Sequence, residues 1–121
     1  MNWTDYVVIA AVVLLMVVLR RAGLISARAA RDYLKNGAKV IDVRTPGEYG
    51  AGHLPNVVNL PLDEIEATLP KRVQDKNTVL LLHCQSGMRS GIAKRKLKAQ
   101  GYTQVFNLGS LARARKIVSG D

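Results

Sequence analysis

Thr78-Val79-Leu80-Leu81-Leu82-His83-Cys84-Gln85-Ser86-Gly87-Met88-Arg89-Ser90 is the stretch that decides the fold. Its apolar run Val79–Leu82 sits between polar neighbours, as in a strand buried on both faces of a parallel sheet. Cys84, the only cysteine, follows; a short loop with Gly87 leads into a helical pattern over Ser90–Gln100. The loop therefore belongs at the carboxyl end of a strand and the amino end of a helix, the edge where open α/β sheets bind ligands. Helix amino ends and glycine-containing loops present unpaired N–H groups that favour anions. Gln85, Ser86, Gly87 and Met88 supply such groups, and Arg89 adds a fixed positive charge with no acid in the loop. Cys84 is thus a candidate thiolate, set against the plainer reading of a small buried hydrophobe.

Outward from this loop, strands and helices alternate. Ser26 caps a helical stretch through Leu34, and Lys39–Val43 reads as a strand ending in Asp42 and Arg44. Pro46 opens a helical turn containing Glu48, and Val57–Leu60 reads as the next strand. Leu62–Val73 has helical spacing that Pro70 is expected to break. Gln104–Leu108 is a last strand and Leu111–Val118 a basic terminal helix, with Ser119–Asp121 a loose end. This alternation implies a parallel sheet covered on both faces. Arg44 and Glu48 are expected to pair beside the loop, and His53 is expected to be structural. His83, one residue from Cys84 on a strand, is expected to face away from the thiol.

The 121 residues carry a net charge of +9, which suits small oxyanions or acidic lipid headgroups. Few aromatics and no base-stacking motif argue against nucleic acid. Lys94, Arg95, Lys96 and Lys98, with Arg113, Arg115 and Lys116, are expected to form one basic surface, read first as a solvated face. A single cysteine permits no internal disulfide and suits a reducing compartment.

Tyr6–Leu19 is uninterrupted apolar sequence. As helix it rises about 21 Å against a hydrocarbon core of about 30 Å, a gap that Trp3 at one interface and snorkelling Arg20 and Arg21 at the other would close. A signal peptide would want positive charge before the run, where only Asp5 stands, and a core helix apolar all round would need covering. The expectation is residues 1–23 as a transmembrane helix with a basic flank and 24–121 as one domain. Arg20, Arg21, Arg28 and Arg31 follow the run and no lysine or arginine precedes it. The chain is then single-pass in the inner (plasma) membrane with its domain cytoplasmic.

Together the motifs resemble the rhodanese (sulfurtransferase) family. Asp42-Val43-Arg44-Thr45-Pro46-x-Glu48-Tyr49 resembles its first signature, and Gly52-His53-Leu54-Pro55 with Asn59-Leu60-Pro61-Leu62 its second. Cys84-x-Ser86-Gly87-x-Arg89-Ser90 resembles its active-site loop and Gly101-Tyr102-x-x-Val105 its closing strand. The resemblance implies a three-layer α/β/α sandwich around a five-stranded parallel sheet. It implies a persulfide on Cys84, with Gln85, Ser86, Gly87, Met88, Arg89 and Ser90 binding a small anionic sulfur donor. Asp42, Arg44 and Glu48 would support the site, cyanide or a thiol would accept the sulfur, and no metal or organic cofactor is implied. Related phosphatases have one more residue between cysteine and arginine; four separate Cys84 from Arg89, as in the sulfur-carrying loop. The family's glycine pair and tryptophan after the last strand are replaced by Leu108-Gly109-Ser110-Leu111, which leaves a non-enzymatic module binding a protein or small anion as the alternative.

Overall fold

The computed structural model describes residues 1–120, with 20–22 described by backbone alone. After a long helix α1 (Trp3–Ala22) come α2 (Ala27–Lys35), β1 (Lys39–Asp42), α3 (Pro46–Ala51) and β2 (Val57–Asn59). A 3-10 turn (Leu62–Glu64), α4 (Ile65–Arg72), β3 (Leu80–His83), α5 (Met88–Ala99), β4 (Val105–Gly109) and α6 (Leu111–Ser119) complete the chain. The strands form a parallel sheet in the order β2-β1-β3-β4, with the cysteine-bearing strand in its interior.

Residues alternate between two apolar cores. Ile41, Leu80, Leu82 and Cys84 pack with Ile65 and Leu69 of α4 and Ala93 and Leu97 of α5 on one face. Val40, Leu81 and Leu108 pack with Ala30 of α2 and Ala114 and Ile117 of α6 on the other. This is the three-layer sandwich, with four strands where five were expected. Beside β4 only Leu24 pairs, by a single bridge to Asn107, and Ile25 N–H donates to the Asn107 carbonyl at 3.0 Å. The pairing stops there because Ser26 caps α2, its hydroxyl accepting from Ala29 N–H, and turns the chain away.

Four further expectations are corrected. Pro70 lies inside α4 without breaking it: the Glu66 carbonyl, which Pro70 cannot reach as a donor, accepts the Gln100 side-chain N–H at 2.9 Å. The basic residues of α5 and α6 lie on helices covering opposite faces, so they form no single surface. Among the described residues no helix is long and apolar enough to cross a membrane. The apolar run of α1 is exposed, as at Val8, Leu14 and Leu19, but at about 21 Å it is short of a span. The snorkelling expected of Arg20 and Arg21 concerns side chains outside the described residues; of the loose end expected over Ser119–Asp121, Ser119 instead closes α6 and Gly120 caps it, while Asp121 lies outside the described residues.

Candidate active site

Cys84 leaves the buried end of β3 with no exposed surface, and its Sγ accepts the Gly87 N–H at 2.9 Å. Gly87 is the residue that starts α5, at φ +96°, and no side chain caps that helix. The sulfur therefore takes the place of a capping oxygen, accepting N–H groups that the first turn leaves without partners. Glycine is required at 87 for two reasons. Its φ is left-handed, and a Cβ there would sit 3.2 Å from the Gly109 Cα.

Burial by itself pushes the Cys84 thiol up. Hydrogen bonds from the Ser90 hydroxyl and from the backbone N–H groups of Ser90, Gly87 and Ser86 outweigh it, and the net shift is downward, toward thiolate. The Ser90 Oγ is 3.5 Å from Sγ, 2.7 Å from Asn107 Oδ1 and 3.1 Å from the Gly87 carbonyl. Asn107 holds the other side of the loop: its Nδ2 donates to the Gly87 carbonyl at 3.0 Å, and its Oδ1 accepts the Gly109 N–H at 2.8 Å. Sequence reading missed Asn107; its signal was one amide among the apolar residues of the last strand.

The remaining loop residues divide by what they touch. Arg89 holds Glu48 through two hydrogen bonds, at 2.7 and 2.9 Å, both side chains about a third exposed. The loop's cation is thus opposed by an acid from α3, which no inspection of the loop alone reveals. Glu48 is fixed by a capping box at the start of α3, in which its Oε1 accepts the Thr45 N–H and its own N–H donates to the Thr45 hydroxyl. Hydrogen bonds from Arg89 first, then Thr45, hold the Glu48 carboxyl down at about 2.

The expected pairing of Arg44 with Glu48 does not form. Buried Arg44 binds buried Asp42 through two of its nitrogens, at 2.8 to 3.0 Å, because two residues at one strand end share a side. Its other contacts are the Gly52 carbonyl at 2.7 Å and the Gln85 Oε1 at 3.3 Å, so this pair braces the cysteine loop from beneath. Gln85 and Ser86 are exposed, and their backbones are tied to the segment before α6. Leu111 N–H donates to the Gln85 carbonyl, and Ser86 bridges Ser110. Leu108–Leu111 thereby walls the site. Met88 is exposed.

His83 is buried, with Nδ1 3.3 Å from the Cys84 carbonyl oxygen and Nε2 3.8 Å from Asp42 Oδ2, so it is no base for the thiol. His53 stacks on Tyr49 at 3.8 Å, and its Nδ1 lies 2.9 Å from the Tyr49 carbonyl oxygen, a structural role as expected. Among the described residues no group of three or more His, Cys, Asp or Glu side chains converges as a metal site.

The chain is 41% identical over 71 residues to the thiosulfate sulfurtransferase PspE of Escherichia coli (strain K12), covering 59% of this chain and 68% of that one. A solved structure of a rhodanese with anions from Escherichia coli superposes with a TM-score of 0.61 at 38% identity, covering 64% of this chain and 91% of the other. The human single-domain sulfurtransferase TSTD1 superposes with a TM-score of 0.65 at 27% identity, covering 82% and 97%. The family model for the Rhodanese-like domain matches residues 26–112, which hold the whole cysteine loop and everything that braces it. On these likenesses the chain belongs to the rhodanese-like domain family and is an enzyme of the rhodanese type.

Proposed function

We propose that Cys84 carries sulfane sulfur between a small anionic donor and a nucleophilic acceptor. The Cys84 thiolate attacks the outer sulfur of thiosulfate; the S–S bond of the donor breaks and sulfite leaves with its electron pair. The Cys84 persulfide then meets cyanide or a thiol, which attacks the outer sulfur. Thiocyanate or a new persulfide departs, and the Cys84 thiolate returns to its ring of N–H donors. The same reading applies to a persulfide donor. The observation that carries it is the Gly87 N–H 2.9 Å from Sγ at an uncapped helix start, a setting that lowers the thiol and suits an anion. It favours an enzyme over a binding module of the same fold. The test is thiosulfate-dependent thiocyanate formation, with intact-mass detection of one added sulfur on the protein. Retained turnover in Cys84→Ser would refute the assignment.

We also infer that α1 holds the domain to the plasma membrane, with the domain on the cytoplasmic side. Its exposed apolar residues, with the arginines that follow it and would meet the acidic headgroups of the cytoplasmic leaflet, support this. Recovery of the full chain in a washed membrane fraction, with Cys84 labelled only after the cytoplasmic side is opened, is the expected result. Recovery in the soluble fraction would refute it.

A further inference from the structure

The short connection after α1 fixes how the domain sits on that helix. Only Gly23 separates Ala22, the last residue of α1, from Leu24, which bridges Asn107 beside β4. Ile25 N–H donates to the Asn107 carbonyl at 3.0 Å, and the Arg113 guanidinium donates to the carbonyls of Ile25 and Leu108. The end of α1 is thereby held at the edge of the sheet, where it walls a cleft of about 570 Å³. Leu19 and Leu24 line one side, and Ile92, Lys94 and Arg95 of α5 line the other. No acid lines the cleft among the described residues, and neither cation has an ion-pair partner among them. Lys96 on the same helix, by contrast, is paired with Glu66 at 3.3 Å. Burial first, then the like charge of Lys98, pushes the half-buried Lys94 amine below its ordinary value, a cost that a bound anion offsets. The cleft thus joins an apolar wall to two unmatched cations. It lies where the apolar run Tyr6–Leu19 ends.

We propose that this cleft holds the headgroup of an acidic phospholipid, with its phosphate at Lys94 and Arg95 and its first acyl carbons along Leu19, Leu24 and Ile92. The inference rests on the membrane reading of α1, since a helix held in a leaflet brings lipids to this level. Arg95 offers a planar fork to two phosphate oxygens, and Lys94 adds a compact point charge. A zwitterionic lipid carries the same chains without net charge, and free phosphate carries the charge without chains. An acidic lipid brings both. Leu19 and Leu24 lie outside the family's matched region of 26–112, so the site belongs to this chain rather than to the family's domain.

The experiment places the full chain in phosphatidylcholine vesicles: alone, with about 30 mol% phosphatidylglycerol, or with inorganic phosphate in the buffer. Amines are acetylated, and the rate at each lysine is read by peptide mass spectrometry. Lys98, exposed one turn further along α5 and outside the cleft, is the internal reference. Phosphatidylglycerol is expected to slow Lys94 by about fivefold or more relative to Lys98, and inorganic phosphate to leave their ratio unchanged. The slowing should survive about 0.5 M salt, because a partly buried pair is screened less than an exposed one. Arg95→Gln is expected to return Lys94 most of the way to its rate in neutral vesicles. Ile92→Asp, which puts a carboxylate in the cleft, should return it fully; if that variant fails to fold by circular dichroism, Arg95→Gln carries the test. No slowing of Lys94, or equal slowing of Lys94 and Lys98 that salt removes, would overturn the site. Equal protection by inorganic phosphate would assign the cleft to a free anion and overturn the lipid. Each of these leaves the anchoring by α1 standing, provided the chain floats with neutral vesicles. Failure to float with any vesicle would overturn the anchoring and this inference with it.

Discussion

Arg89, the last cation of the cysteine loop, spends its guanidinium on Glu48 of α3, with Nη1 2.7 Å from Oε1 and Nη2 2.9 Å from Oε2. The fork is matched to a carboxylate, so Arg89 braces the loop against α3 and contributes less free charge than the loop alone implies. Arg89→Ala and Glu48→Gln are each expected to lower thiosulfate kcat/KM by about tenfold, and the double variant little further, as one broken brace. Arg89→Lys should recover part of that loss. Thermal unfolding should hardly move, since a partly exposed pair contributes about 0–1 kcal/mol. Wild-type kcat/KM in Glu48→Gln would show that the brace is not needed.

Cys84 should alkylate as an activated thiol. Iodoacetamide reaction followed against pH is expected to give a midpoint below the ordinary thiol value of about 8.5. Ser90→Ala removes a donor to the sulfur and should raise that midpoint, with kcat falling as the thiolate fraction falls. An unmoved midpoint would show that the Ser90 hydroxyl proton goes wholly to Asn107, its nearer acceptor at 2.7 Å.

Gly87→Ala tests the loop's geometry. A methyl group would meet Gly109 Cα at 3.2 Å, and the residue would be held at φ +96°. Strain of about 1–3 kcal/mol is expected to open the loop, with most turnover lost while the sheet, read by far-ultraviolet circular dichroism, stays folded. Turnover close to wild type would mean that the loop relaxes without moving its N–H groups from the sulfur.

Stability should fall on mild acidification because of His83. Burial holds its imidazole below the ordinary value, against the attraction of Asp42. The unfolded chain therefore takes up a proton that the folded one resists. This contribution is complete above about pH 6.5 and declines as pH drops below it. Glu48, held down at about 2, stays ionised through that window, and its own contribution is lost only as pH falls from about 4.5 toward 2. Urea midpoints at pH 7.5 and pH 5.5 should differ in wild type and converge in His83→Gln. An equal drop in the variant would place the titration elsewhere.

Strand and helix identities were legible because their periods are local. Four leucines and valines in a row, one residue short of Cys84, specify a doubly buried strand, and Ser26 announces a helix start through a contact three residues away. Cys84 was legible for the same reason, since strand, loop and helix are contiguous. Pairings across the sheet were not. Whether Glu48 takes Arg44 or Arg89, forty-one residues from it in sequence, depends on how closely α3 and α5 pack beside the sheet. That Gln100 replaces the hydrogen bond Pro70 cannot make depends on α5 lying against α4.

The sequence by itself determined the order of elements, the place of the lone cysteine between strand and helix, and the loop length, because each is a property of neighbouring residues. Only the tertiary structure decided that Asn107 and Gly109, some twenty residues downstream, close the far side of the sulfur's ring. It also decided that the sheet's edge ends in a single bridge at Leu24, and that α1 and α5 enclose a cleft beside the loop. These are packing outcomes: buried polar groups must find partners wherever the folded chain brings them, and sequence spacing does not encode that distance.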